Sequence, residues 1–233
     1  MTPEETTARL LYRDGMMLVF NKPAGVAVHA GPKGGRSLED DFEALCFGLP
    51  RRPKLAHRLD RDTAGCLVLG RHHKALGALG LLFKQGKIGK TYWAIVNGAP
   101  EGDEGIIDLP LGRLDDKIGW WMKVDPKGQK SVTHWRVRGR GTWRGAPIAW
   151  IEFEPKTGRT HQLRVHSASQ GWPILGDAIY GERADLPLQL LARKVVVPLS
   201  KSKPPIEVEA PAPPHMLEAL AACGFEGDAP PVL

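Results

Sequence analysis

Nine consecutive residues, His57-Arg58-Leu59-Asp60-Arg61-Asp62-Thr63-Ala64-Gly65, combine a histidine, four ionised side chains and a glycine turn. Basic residues lead into them (Arg51, Arg52, Lys54), and an apolar run with strand character, Cys66-Leu67-Val68-Leu69, follows. A charged loop opening into a buried strand can hold a carboxylate half out of water, where neighbours set its pKa and reactivity. A solvated turn with local ion pairs is the plain alternative, and it suits Asp62. For Asp60 the second half of the chain supplies a natural partner in Arg164. A guanidinium keeps its charge and can grip a carboxylate through two parallel hydrogen bonds, holding it ionised and aimed.

Other candidates carry weaker signals. His161 and His166 have a metal-like spacing, but nearby acids are few and both read as structural, as does His57 in its loop. Lys33-Gly34-Gly35-Arg36 lacks the full phosphate-loop pattern, which argues against nucleotide hydrolysis on that motif. Trp120 and Trp121, and the stretch from Trp135 through Arg136, Arg138 and Arg140 to Trp143-Arg144, interleave aromatics with cations. Such patches suit looped or single-stranded RNA. On alternating strands half of each set points inward, so RNA surface and sheet packing are equally good readings.

These residues need elements to position them. Met16 to Phe20 reads as a strand, resumed at Val26 and Val28. Ser37 and Asp40 cap a helix that carries Leu38, Phe42, Leu45 and Leu49 on one face. A strand at 66–69 and a helix at 72–85 follow, then strands at 91–96, 119–124, 131–137 and 148–153. Thr160 is placed to cap a helix at 161–169, and 188–197 reads as a long strand. Connections too short for crossover helices favour antiparallel pairing, hence an α+β fold around a mixed, mainly antiparallel sheet. Residues 1–203 read as the catalytic domain. Residues 204–233 read as a Pro-rich link and a short acidic helix, from about His215 to Cys223, packed on the same domain.

The formal net charge is +6, and residues 204–233 hold five acids (Glu207, Glu209, Glu218, Glu226, Asp228) with no Lys or Arg. The basic excess therefore belongs to the rest of the chain and suits a polyanionic partner. No apolar run is long enough to span a membrane, and Met1-Thr2-Pro3-Glu4-Glu5 is unlike a signal peptide. Cys46, Cys66 and Cys223 lie far apart among apolar neighbours, reading as buried hydrophobes in a reducing, cytoplasmic compartment.

His57 to Gly65 resembles the signature of the RluA-type RNA pseudouridine synthases, His-Arg-Leu-Asp-x-x-Thr-Ser-Gly. Four further segments agree in order: Asn21-Lys22-Pro23-Ala24-Gly25, Lys90-Thr91-Tyr92, Gly158 to His166 (Gly-Arg-Thr-His-Gln-Leu-Arg-Val-His), and Leu175-Gly176-Asp177 with Tyr180-Gly181. Ala64 departs from the pattern and removes a hydroxyl that members carry. The resemblance implies a curved sheet with flanking helices, a central active-site cleft, and isomerisation of uridine in RNA without cofactor or metal. It implies Asp60 as the essential carboxylate, taken as nucleophile, with Arg164 as its partner and Tyr92 on the flipped uracil. A carboxylate there could equally act as electrostatic partner of the sugar carbon or assist proton removal. Arg58 would fill the space the base leaves. Arg58, Arg61, Lys90, Arg159, His161 and Gln162 make up the substrate- and RNA-facing set. Many members carry an N-terminal RNA-binding module, for which residues before the Lys-Pro motif leave no room. The expected partner is a stem-loop or single-stranded segment of tRNA or rRNA, bound by a monomer with no membrane contact. A base glycosylase would need a water near Asp60 and lacks a second placed carboxylate. A non-catalytic RNA-binding or assembly protein would not need Asp60, Tyr92 and Arg164 together.

Overall fold

The apolar run after the charged loop is buried along its whole length as a strand, Ala64–Gly70, which marks a strand covered on both faces. The computed structural model describes residues 1–31, 34–115, 120–182, 185–200 and 202–227. In chain order the first elements are α1 (Pro3–Ala8), β1 (Leu10–Arg13), β2 (Met17–Lys22), a 3-10 helix (Leu38–Leu45), β3 (Lys54–Leu55), β4 (Ala64–Gly70), α2 (His73–Lys84) and β5 (Gly89–Asn97). Then come β6 (Glu104–Asp108), β7 (Leu111–Arg113), β8 (Met122–Val124), β9 (Val132–Trp143), β10 (Ala146–Pro155), α3 (Gln162–Ser169), β11 (Leu190–Val197), β12 (Ile206–Glu209) and α4 (Pro214–Ala222). The chain divides into two compact units, Met1–Lys90 with Ala192–Ala210, and Thr91–Leu191 with the chain from Pro211 on.

In the first unit the strand order is β1-β2-β4-β11-β12, with β3 also on β4. β1/β2, β2/β4, β3/β4 and β11/β12 pair antiparallel. Met17 to Phe20, Leu67 and Leu69 are fully buried, so the centre of the sheet is apolar on both faces. The β2/β4 register sets Lys22 opposite Gly65, bringing the end of β2 beside the charged loop. The helix expected from Ser37 forms as a 3-10 helix with its capping box, Ser37 N donating to Asp40 Oδ2 at 2.8 Å. Positive φ angles at Phe47 and Gly48 end this stretch, so Leu49 lies beyond the helical face. Val26 and Val28 form no strand.

The second unit is built on the order β5-β10-β9-β6, all pairs antiparallel. The β9–β10 hairpin turns at Arg144 and Gly145, both at positive φ, as a tight hairpin turn needs. Strands expected at 131–137 and 148–153 are each longer than read, because this hairpin continues past the apolar residues that flag it. Of the strand expected at 119–124 only Met122–Val124 forms, pairing with β7, and Gly119 lies outside the described residues. Ala94, Val96, Ile151, Phe153, Leu163, Trp172 and Ile174 form the core, with Tyr92 packed against it. The link read at 204–214 contains β12, and α4 stops before Gly224. Phe225 then packs edge-on to Trp93 and Trp150.

Thr160 does not cap α3. His161 holds the N-cap position in the left-handed region (φ 52°) with no side-chain capping bond. Gln162 fastens this entry instead, its Oε1 accepting from Arg159 N at 3.0 Å and from Thr157 Oγ1 at 2.7 Å.

Candidate active site

In the first unit Asp60 sits half-buried between buried Leu59 and Thr63, and Arg58 and Arg61 are exposed. Thr63 N donates to Asp60 O at 3.2 Å, closing a turn over Arg61 and Asp62 through the main chain alone. Gly65 follows at φ 106°, a conformation strained for any residue with a side chain. Arg61 Nε and Nη2 donate to the two carboxylate oxygens of Asp62 at 3.0 and 3.2 Å. That exposed pair makes Asp62 a turn residue and contributes little to stability.

Two side chains support this turn and the strand that follows it. Lys22 is fully buried, and its Nζ donates to Pro23 O and to Arg61 O, each at 2.8 Å. Burial lowers its pKa to about 8, against the upward pull of Asp62 and then Asp60. The ammonium thus stands in the field of both carboxylates while its hydrogen bonds hold the backbone between them.

His57 is the second support. Its Nε2 accepts from Val68 N at 3.0 Å, which leaves the proton on Nδ1, and its ring stacks on Phe83 at 4.5 Å. Burial, and secondly the Lys90 charge, lower its pKa from 6.5 to about 4. Between those values the unfolded chain takes up a proton that the folded chain refuses. Stability should therefore fall on acidification across this window, by up to about 1.4 kcal/mol per pH unit from this group. His166 and His215 are also lowered by burial and share the slope. Thermal melts from pH 7 to 4.5 check this: His57→Gln should show a shallower slope than the parent chain. Equal slopes would mean that His57 titrates alike in both states.

In the second unit α3 carries Arg164, 5% exposed, and the parallel bonds expected of its guanidinium are made to Asp177. Nε reaches Oδ2 and Nη2 reaches Oδ1, both at 2.7 Å. Asp177 Oδ1 also accepts from Ile179 N and Tyr180 N, at 2.9 and 3.1 Å. Burial alone would raise the Asp177 pKa, but Arg164 and these two N–H groups outweigh it and hold the carboxyl below its usual range. The Tyr180 ring lies 5.3 Å from the Arg164 guanidinium carbon. Its hydroxyl accepts from Met122 N at 2.8 Å and shares a hydrogen bond with His161 Nδ1 at 2.8 Å.

The remaining expected residues divide by burial. Gln162, expected to face RNA, is buried with its amide filled by protein groups: besides its two Oε1 bonds, Nε2 donates to Val132 O and Thr133 Oγ1. His166 is fully buried between Thr133 Oγ1 and Leu109 O, a structural arrangement. Arg159 is exposed, with Nε on Lys130 O at 3.2 Å. Tyr92 and Lys90 are half-buried on β5. Asp60, Arg58, Arg61 and Lys90 belong to the first unit, and Tyr92, Arg159, His161, Gln162 and Arg164 to the second. Among the described residues no group of three or more His, Cys, Asp or Glu is placed to hold a metal ion. No helix among them is long and apolar enough to cross a membrane. Sequence reasoning gave no roles to Lys22, Asp177 or Tyr180; an Asp followed by two N–H groups it can accept from was a visible turn signal for Asp177.

The aromatic and basic stretches also separate. Trp135 packs edge-on to Trp172, and Arg136 and Arg140 are paired with Glu104 and Asp103. That strand is largely ordinary sheet surface. Trp120 and Trp121 are 55% and 40% exposed.

Comparison with known proteins agrees with the motifs. Residues 16–169 match the RNA pseudouridylate synthase family. An RNA pseudouridine synthase of Zymomonas mobilis is 44% identical over 221 residues, covering 93% of this chain and 97% of that protein. Ribosomal large subunit pseudouridine synthase C of Vibrio cholerae is 33% identical, covering 91% of this chain and 68% of that one. Human RNA pseudouridylate synthase domain containing 4 superposes with a TM-score of 0.78 at 27% identity, covering 94% of both chains.

Proposed function

The chain belongs to the RNA pseudouridylate synthase family, RluA type, and is an isomerase acting on RNA; on that premise we propose that Asp60 is its nucleophile. Conversion of uridine to pseudouridine breaks the N1–C1′ bond, rotates the base and joins C5 to C1′, with loss of the C5 hydrogen. An ionised carboxylate suits the electron-poor C1′ carbon. The observation that carries this reading is the turn itself: Asp60 is half-exposed while the groups that fix its backbone, Lys22 and Thr63, are buried. Such support keeps a reactive group in one geometry at no cost on binding.

In this reading Arg164 supplies the positive charge that keeps Asp60 ionised, with Asp177 orienting the guanidinium from its other edge. Tyr92 stacks on the extruded uracil, and Arg58 enters the stack where the base was. The RNA is a stem-loop or single-stranded segment of rRNA or tRNA, bound by a monomer in a reducing, cytoplasmic compartment. The ribosomal target named for the Vibrio cholerae relative supports the first class, and three free thiols fit the compartment.

Pseudouridine maps of tRNA and rRNA from cells with and without the gene test the substrate. Sites lost without the gene and restored by it, but not by its Asp60→Asn form, are expected. Unchanged maps would remove tRNA and rRNA as targets. Affinity for the mapped RNA should fall steeply with salt as phosphate contacts release counterions. Binding that ignores salt between 50 and 200 mM would contradict an electrostatic interface.

A further inference from the structure

Within the second unit β7, β8 and the turn after them enclose a groove of about 470 Å3, walled on one side by Gly158, Arg159 and Thr160. We propose that it binds a nucleotide of the substrate RNA other than the target uridine, with the base on the Trp120 indole and phosphates on Arg113, Lys127 and Arg159. The proposal rests on the RNA-isomerase reading and adds a second point of contact to it.

Charge singles out this groove. The arginines of β9 are exposed too, but Arg136 and Arg140 are neutralised by Glu104 and Asp103. Among the described residues no carboxylate pairs with Arg113, Lys127 or Arg159. All three are exposed beside an indole that is more than half exposed. Cations that follow phosphates together with a ring that stacks a base are the two parts of a single-strand nucleotide site. The volume lies in the range of small-ligand pockets. Asp125, also in the lining, would repel a phosphate and accept from a base N–H, so a base is the group expected next to it.

The groove is preformed. Leu111 and Gln129 exchange both main-chain hydrogen bonds, at 2.9 and 2.8 Å, and Leu114 N donates to Trp121 O at 2.8 Å. At Gly128 the chain passes so close to Leu111 that a Cβ would meet its carbonyl oxygen at 2.5 Å. The groove also borders the chemistry: Arg159 and Thr160 lead into the helix bearing Arg164, and Met122 N is bonded to the Tyr180 hydroxyl that faces His161.

The test measures binding of a fluorescein-labelled, unstructured hexaribonucleotide of mixed sequence by anisotropy across a salt series. The full chain is compared with Trp120→Ala, with Arg113→Ala/Lys127→Ala, and with Arg136→Ala/Arg140→Ala as a change of equal charge elsewhere. Trp120→Ala should weaken binding about tenfold. Arg113→Ala/Lys127→Ala should flatten the log affinity against log salt slope by about 1.4. The β9 pair should stay within twofold of the parent. Equal losses from both double variants would mean diffuse charge rather than a site, and would overturn the proposal. So would a parent chain that does not bind the hexamer, or Trp120→Ala binding like the parent. Each variant alters exposed side chains, and unchanged melting temperatures establish folding. Binding that behaves as expected in a chain that isomerises no uridine would sink the isomerase reading and leave the groove standing.

Discussion

Asp60→Asn is expected to reduce turnover by on the order of a thousandfold or more while the chain still folds and binds RNA. Asparagine has nearly the shape of aspartate but carries no charge and is a poor nucleophile, so the change removes chemistry and little else. The turn survives because its closing bond runs from Thr63 N to the main-chain oxygen of residue 60, and Lys22 holds the carbonyl of Arg61. The readouts are initial rate, melting temperature and RNA affinity. A rate within tenfold of the parent would remove Asp60 from the mechanism. A collapse in melting temperature would make the loss structural.

The second large effect concerns Arg164 and Asp177. Removing either partner strands the other charge in the interior, where both side chains are at most 5% exposed. Breaking a buried pair in this way costs about 3–5 kcal/mol. In a chain of this length each kcal/mol lowers the melting temperature by about 2–4 °C. Asp177→Ala should therefore melt about 10 °C or more below the parent, and Arg164→Ala similarly. Arg164→Lys keeps the charge but not the parallel bonds, so it should recover part of the stability with little activity. Because Asp177 is held below the usual carboxylate range, its contribution is present above the unfolded-state pKa of about 3.9 and is lost as pH falls through the folded value. Asp177→Asn should thus be less sensitive than the parent to acid below pH 4. Melting temperatures that match the parent would show that the pair is not a structural element.

What was legible in the sequence was local. The apolar runs at 17–20 and 66–69 state their own burial, and the Ser37 and Asp40 capping box can be read from two letters three apart. His57 was readable as a support. Short strands escaped because three to five residues carry too little periodicity: β6, β7 and β12 became strands through their partners. Lys22 was visible as part of a motif, but its partner Arg61 O lies 39 residues on, and only the β2/β4 register brings them together. The guanidinium fork was legible at Arg164, whereas its partner Asp177 stood in a quoted segment without a role. Thr160 satisfied the composition of an N-cap, yet His161 takes that position in the left-handed region without a side-chain cap, and the Gln162 side chain ties the preceding turn at Arg159 N.

The central claim is that the chain isomerises uridine in RNA through Asp60. RNA labelled with tritium at C5 of uridine tests it most directly, because joining C5 to C1′ expels that hydrogen. The account predicts one tritium released to water per modified site, an intact strand, and no release with Asp60→Asn. Free uracil that keeps its label, with an abasic sugar left behind, would contradict the account and make the chain a glycosylase. Absence of release from every cellular RNA fraction would contradict it equally and leave an RNA-binding protein.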